Sequence, residues 1–229
     1  MKIGLLLCFV LSIQSIDLFG QDPNSTNDKE AAYTRTINTR AEKIVQTLAL
    51  SDSSKAKRVT LIIAGQYRNL NTLYTEREEQ VKLIRQQEHS KESADKAIEK
   101  ANEIADKKVE KLHSSFLAEL SSELSQDQVT KVKDGMTYNV LKVTYDAYVD
   151  MIPALTTTQK DQIMNWLVEA REYAMDGESS EKKHWWFGKY KGRINNYLSA
   201  QGYDINKERK DWEERSKRKA EQKATNPVQ

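Results

Sequence analysis

Apolar side chains recur at steps of three and four residues along most of the chain, the spacing that places them on one face of an α-helix. Successive apolar stripes occupy residues 33–48, 59–74, 98–120, 129–147 and 163–174. Proline and glycine are scarce, with 3 and 8 residues, which favours long helices over sheets. The pattern therefore predicts an all-α fold, a bundle of six or seven helices joined by short turns.

Two segments of this bundle carry too much charge to be buried. Residues 76–111 predict a long charged helical hairpin, in which pairs such as Glu92 with Lys96 stabilise the helix across one turn. Because Trp212 is the only large apolar residue within 207–223, that segment is predicted to be a peripheral C-terminal helix. The predicted domains are a signal peptide at 1–20, a helical bundle domain at 21–203, and a charged C-terminal helix with a disordered tail at 204–229.

The N-terminus has the layout of a secretory signal peptide. Lys2 precedes an apolar run at 4–13, and we place the cleavage near Gly20. That run is too short to cross a bilayer, so we expect a periplasmic or secreted protein with no membrane span in the mature chain. The only cysteine, Cys8, lies inside the signal, so a hydrophobic core and not disulfides must stabilise the mature fold.

Formal charge is nearly balanced, at +2 over the whole chain. No broad basic field is present that would favour a nucleic acid as partner. We therefore expect no nucleic-acid partner, and the candidate partners are an oligosaccharide or another exported protein.

Two pentapeptides, at 124–128 and 155–159, share the pattern L-[ST]-x-x-Q. Ser125 and Thr156 are well placed as N-caps, and the glutamine three residues later can return a hydrogen bond, which makes each a predicted capping box. The pattern also resembles the LTxxQ motif of periplasmic chaperones. That resemblance implies an α-hairpin architecture with a concave surface that holds unfolded clients.

Three longer segments carry a broader resemblance. They are KVKDGMTY at 131–138, AREYAMD at 170–176 and KYKGRINNYL at 189–198. Read in this order, they resemble an uncharacterised family of exported all-helical proteins, a domain of unknown function from Gram-negative bacteria that often accompanies polysaccharide-utilisation systems. The resemblance implies the fold and the export, and it suggests an association with glycans.

Catalytic and metal-binding patterns are sparse. Glu110 and His113, like Glu181 and His184, form Glu-x-x-His pairs of the kind that bind two metals in some helical bundles. Neighbouring lysines place both pairs on solvent-facing positions, so we expect no metal, no cofactor and ordinary surface residues. With no mature cysteine, no serine elbow and no phosphate loop, we expect that the protein is not an enzyme.

The segment HWWFGKYKGRINNYLSAQGYD, at 184–204, is the densest in residue types suited to binding a ligand. A helical projection assigns most of its aromatic residues, including Trp186 and Tyr190, to the core. Trp185 falls on the opposite face with Gly188 and Gly192, two interior glycines that each lower helix stability by about 1 kcal/mol relative to alanine. Two explanations stay open at this point: close approach of a neighbouring helix, or a shallow shelf on which Trp185 stacks against a sugar.

The candidate ligand-binding residues of that face and its flanks are Trp185, Lys189, Lys191, Arg193, Asn195 and Asn196. The flanking cations suit an acidic sugar. The function that the sequence favours is an exported, non-enzymatic helical binding or accessory protein associated with carbohydrate. A chaperone of the LTxxQ type is the alternative, and an enzyme with a di-metal centre is a third hypothesis.

Overall fold

A computed structural model describes residues 23–88 and 90–225, which form α-helices with no strand. The predicted signal peptide at 1–20 lies outside these residues, as do positions 226–229 of the predicted tail. The helices are α1 Pro23–Gln46, α2 Ser53–Gln87, α3 Lys91–Glu123, α4 Gln126–Met136, α5 Val140–Met151, α6 Thr157–Met175, α7 Ser180–Ala200 and α8 Ile205–Thr225. The all-α prediction is confirmed, although the described residues hold eight helices where six or seven were predicted.

One predicted stripe, at 129–147, proves to be two helices. Tyr138 and Asn139 both have left-handed backbone, with φ of 56° and 59°, and they separate α4 from α5. The turn changes the phase of the buried face, so Leu141 and Tyr148 are buried whereas Val143 is 63% exposed. The single stripe was wrong because no glycine or proline marks this break.

Helix starts follow the local chemistry of the sequence. Ser125 and Thr156 both complete their predicted capping boxes, in which hydroxyl and glutamine side chain satisfy each other's backbone amides. Asp204 caps α8 by accepting from the amides of Asn206 and Lys207, and Gly202 before it has the left-handed φ of 92° that favours glycine.

Described residues up to Thr36 form one compact unit, and those from Ile37 onward form a second. A large apolar cluster lies in the second unit, where α5, α6 and α7 pack together. Its fully buried members are Ile152, Ile163, Leu167, Ala170, Ala174, Ile194 and Leu198. Because burying each leucine or isoleucine contributes roughly 1.5–3 kcal/mol, this cluster is a main source of stability for a fold without disulfides.

The predicted charged hairpin is present as α2 and α3, which pack against each other along their length. Exposed ion pairs decorate it, with Lys96 Nζ 2.8 Å from Glu92 and Lys108 Nζ 3.7 Å from Glu76. None of the helices in the described part of the chain is both long and apolar enough to cross a membrane.

The C-terminal helix α8 lies against α5. Trp212 Nε1 donates to the Asp150 carboxylate at 2.6 Å, and Arg215 donates to the backbone oxygens of Asp150 and Met151 at 3.1 and 3.0 Å. The guanidinium binds C-terminal carbonyls of α5, and together with the indole it ties this highly charged helix to α5.

Candidate functional site

A cleft of about 530 Å³ opens between α2, α3, the end of α6 and the start of α7. It is lined by Tyr74, Asp106, Val109, Glu110, His113, Ser114, Glu172, Tyr173, Asp176 and Trp186. Carboxylates, an imidazole and aromatic rings therefore share one opening, the combination of polar groups and apolar wall that is typical of ligand sites.

His113 is oriented by a buried carboxylate at the base of the cleft. Its Nδ1 lies 2.6 Å from Asp176 Oδ2, while Gln66 Nε2 donates to the other oxygen, Oδ1, at 3.2 Å. Since a carboxylate can only accept, Nδ1 carries the proton of this hydrogen bond. The hydrogen bond to Asp176 raises the pKa of His113 above its ordinary value, against the opposing effect of burial.

The backbone around Asp176, at the end of α6, is held by the side chains of Tyr74 and Lys183. Tyr74 donates its hydroxyl to the Asp176 backbone oxygen at 2.8 Å. Next to it, the Lys183 ammonium donates to the backbone oxygens of Ala174 and Met175 at 3.2 and 2.7 Å, which caps the C-terminus of α6 with a positive charge. Burial lowers the pKa of Lys183 to about 8, so this cap is an ammonium group that has lost much of its solvation.

Glu172 closes the other side of the imidazole. Its Oε2 lies 2.6 Å from Lys133 Nζ and 3.7 Å from His113 Nε2, and its Oε1 accepts from Arg171 at 3.3 Å. Arg171 also donates to Asp134 at 2.7 Å. On α6, Glu172 and Asp176 are four residues apart and so share a face, which presents both carboxylates to α3.

An aromatic pair forms the outer wall of the cleft. The rings of Tyr173 and Trp186 stack with centroids 4.6 Å apart and an angle of 17° between their planes. Tyr190 continues the stack at 6.5 Å from Tyr173. Tyr173 is 49% exposed, so a flat aromatic surface stands beside the carboxylates.

Trp185 extends this wall over the surface of α7. It is 51% exposed and meets Trp186 edge to face, with centroids 4.9 Å apart. Lys182 Nζ lies 4.4 Å and Lys189 Nζ 5.7 Å from the centre of the Trp185 ring, both within cation–π range. We call Tyr173, Trp185 and Trp186 the aromatic strip.

The two interior glycines of α7 face open space. A Cβ placed on Gly188 or Gly192 would meet no atom within 4 Å among the described residues. Close approach of a neighbouring helix from the described part of the chain is therefore the wrong explanation for them.

The other predicted ligand residues lie in different surroundings. Asn195 is half-buried and accepts the Tyr148 hydroxyl at 2.7 Å, so it ties α7 to α5. Arg193 lies over the Trp166 ring at 4.7 Å and pairs with Glu169 at 3.5 Å. The side chains of Lys191 and Asn196 are exposed. Of the predicted residues, Trp185 and Lys189 lie close together, whereas Asn195 and Arg193 contact side chains of other helices.

The two Glu-x-x-His pairs have different surroundings. Glu110 and His113 line the cleft, whereas His184 stacks on Tyr138 with ring centres 5.9 Å apart, and Glu181 lies exposed in the first turn of α7. Within residues 23–88 and 90–225, no group of three or more histidine, cysteine, aspartate or glutamate side chains is arranged to hold a metal ion. The pairs thus do not converge on a di-metal centre.

The sequence pattern missed the centre of the cleft. His113 and Asp176 are 63 residues apart in the sequence, so no local pattern pairs them. Trp186 was assigned to the core, but it is half-buried and lines the cleft. The segment 170–176 contained a usable signal, because it carries Glu172, Tyr173 and Asp176.

Fold and site together define an all-helical bundle with a cleft of paired charges and an adjoining aromatic strip. The model of the family described as "Protein of unknown function (DUF3826)" matches residues 34–218, so the chain belongs to that family. The predicted membership of an all-helical family of unknown function is thus confirmed. No curated protein matches the chain significantly.

Proposed function

We propose that this is an exported accessory protein that binds carbohydrate in the cleft and along the aromatic strip. The observation that carries the proposal is the stacked pair of Tyr173 and Trp186 at the mouth of a cleft that also contains ion-paired carboxylates. Aromatic faces pack against the apolar face of a sugar ring, and fixed carboxylates accept hydrogen bonds from its hydroxyl groups.

The surface around Trp185 supports an acidic glycan as ligand. The ammonium groups of Lys182 and Lys189 lie near its ring. The side chain of Lys191 is exposed one helical turn after Gly188. A carboxylate or sulfate on a sugar stacked at Trp185 would meet these ammonium groups. The open space at Gly188 and Gly192 leaves room for such a chain.

Binding can be tested with purified chain and a panel of cello-, xylo- and chito-oligosaccharides and oligogalacturonides. At least one should raise the melting temperature and change the tryptophan fluorescence. Trp185→Ala and Tyr173→Ala should each weaken that binding, because both side chains are half exposed and add little to the core. Leu61→Ala, an exposed apolar change on α2, should leave it unaltered. No response to any saccharide contradicts the proposal.

Export is proposed on the layout of residues 1–20. If the protein is periplasmic or secreted, mass spectrometry of the mature chain recovered from a Gram-negative host should give an N-terminus close to Gln21. A full-length chain starting at Met1 and recovered from the cytoplasm would contradict it.

A second candidate is a chaperone of the LTxxQ type. The observation in its favour is the large apolar side chains exposed on α2 and α3, with Leu61 68%, Leu83 53% and Ile104 45% exposed. Such a protein should suppress aggregation of an unfolding client at near-equal molar ratio, and Leu83→Ser with Ile104→Ser should abolish the effect. Unchanged client aggregation in a light-scattering assay would remove this candidate.

A further inference from the structure

His113 presents one ring nitrogen to the cleft that makes no hydrogen bond to a described residue. Nδ1 is bound by Asp176, but Nε2 lies 3.7 Å from the nearest Glu172 oxygen, beyond hydrogen-bonding distance. Gln66 and Tyr74 in turn hold Asp176, so the imidazole is oriented through two layers of contacts. This is the arrangement by which proteins prepare a histidine to pass a proton to a bound substrate.

We propose that the cleft is a catalytic site for glycoside hydrolysis, with His113 as the general acid and Asp176 as the residue that positions it. The substrate class rests on the proposed carbohydrate binding, and the inference adds the reaction. The aromatic strip would hold the sugar chain so that a glycosidic oxygen reaches His113 Nε2 between the imidazole and the Glu172 carboxylate.

The step conserves atoms and charge without a cofactor. Nε2 of the imidazolium gives its proton to the glycosidic oxygen as the bond from that oxygen to the anomeric carbon breaks, and the released sugar leaves as an alcohol. A water molecule adds to the anomeric carbon and gives its proton to the Glu110 carboxylate. Solvent then returns the proton from Glu110 to His113, and the net change is one glycoside and one water converted into two sugars.

Glu110 is the candidate base because it lies one turn before His113 on α3 and lines the same cleft. Its carboxylate is exposed and makes no ion pair with a described residue. Glu172, by contrast, is held by Lys133 and Arg171, so it stays a fixed negative charge beside the developing positive charge on the sugar. The titratable groups that line the cleft with the imidazole are Tyr74, Asp106, Glu110, Glu172 and Asp176, and Lys133 lies beside Glu172.

A purely structural role for His113, tying α3 to α6, makes different predictions. If His113 has only a structural role, replacing it would change the stability of the protein but would not affect any reaction. A general acid would control the rate and its pH dependence while leaving saccharide binding to the aromatic strip.

The purified chain should be incubated with the same oligosaccharide panel between pH 5 and 9, with new reducing ends and product sizes measured. We expect at least one saccharide that binds to be cleaved, at a rate that falls as pH rises and His113 loses its proton. His113→Gln should lower the rate at least 100-fold, the scale of general acid catalysis, and keep the thermal shift caused by the saccharide. His184→Gln, a matched change outside the cleft, should keep the rate.

Glu110→Gln provides a second variant if His113→Gln fails to fold, since an exposed side chain contributes little to packing. It should lower the rate of cleavage and keep the thermal shift caused by the saccharide. A saccharide that binds but is never cleaved overturns the inference while the proposed function stands. Equal rates in wild type and His113→Gln also overturn it, and absence of any binding overturns both.

Discussion

The hydrogen bond to Asp176 favours the charged form of His113, and this interaction contributes to the stability of the fold. A histidine that gains a carboxylate partner on folding binds its proton more tightly in the folded state. Because the hydrogen bond to Asp176 raises the folded pKa, the contribution is fully present below the unfolded pKa and is lost as pH rises through the folded value.

Replacing His113 with glutamine should therefore destabilise the protein most in mildly acidic solution. The loss in free energy of unfolding, measured by urea denaturation, should be greatest near pH 6 and should shrink toward pH 9. Glutamine keeps a hydrogen-bonding group but cannot carry the charge. His184→Gln, which removes only an exposed ring stacked on Tyr138, should show no such trend. A loss that is constant across this pH range would contradict the ion pair.

At the level of helices, α7 combines a packed face with an open one. Phe187, Ile194 and Leu198 are buried in the main core, while Gly188 and Gly192 face open space. Glycine inside a helix loses more backbone entropy on folding than alanine does. No packing contact among the described residues offsets that loss of entropy. An open surface that binds a ligand would explain why glycines occur here.

Gly188→Ala and Gly192→Ala should each raise the free energy of unfolding by about 0.5–1 kcal/mol, because a methyl group meets no neighbour and helix propensity improves. Gly135→Ala is the matched opposite case, since its Cβ would lie 2.8 Å from Ile44 Cγ1, and it should destabilise. Denaturant unfolding measures all three. Destabilisation by the α7 changes would show that the glycines have a structural role.

The same two alanine variants also test the ligand surface. If a saccharide chain lies against the open face of α7, a methyl group there should reduce its binding while stability rises. Thermal shift at a fixed saccharide concentration separates the two effects, because the melting temperature without saccharide gives the stability alone. Unchanged binding in both variants would confine the ligand to the cleft.

Across the whole molecule, local and long-range features differ in what the sequence could predict. The capping boxes at Ser125 and Thr156 were predictable because every group involved lies within four residues. The break at Tyr138 and Asn139 was not, because neither of these two left-handed positions is a glycine or a proline. The pairing of His113 with Asp176 depends on how α3 meets α6, which periodicity alone does not specify.

One charged network connects four helices around the cleft. Asp134 and Lys133 of α4 pair with Arg171 and Glu172 of α6, Glu172 approaches His113 of α3, and Asp176 joins His113 to Gln66 of α2. The Arg171 side chain is only 8% exposed. The network thus includes one buried donor, the Arg171 Nε, with no hydrogen-bond partner among the described residues.

Arg171→Met should show how much of this arrangement depends on the guanidinium. Methionine fills a similar volume but leaves Asp134 and Glu172 without that partner, so the free energy of unfolding should fall by about 1–3 kcal/mol. Glu172 would then be held only by Lys133, and saccharide binding in the cleft should weaken as well. Arg58→Met, which breaks a partly exposed pair with Glu123 on the α2–α3 hairpin, should lower the free energy of unfolding by less than about 1 kcal/mol and leave binding unaltered. Equal losses in the two variants, measured by denaturant unfolding and by thermal shift, would show that the network around the cleft is no more important than an ordinary surface ion pair.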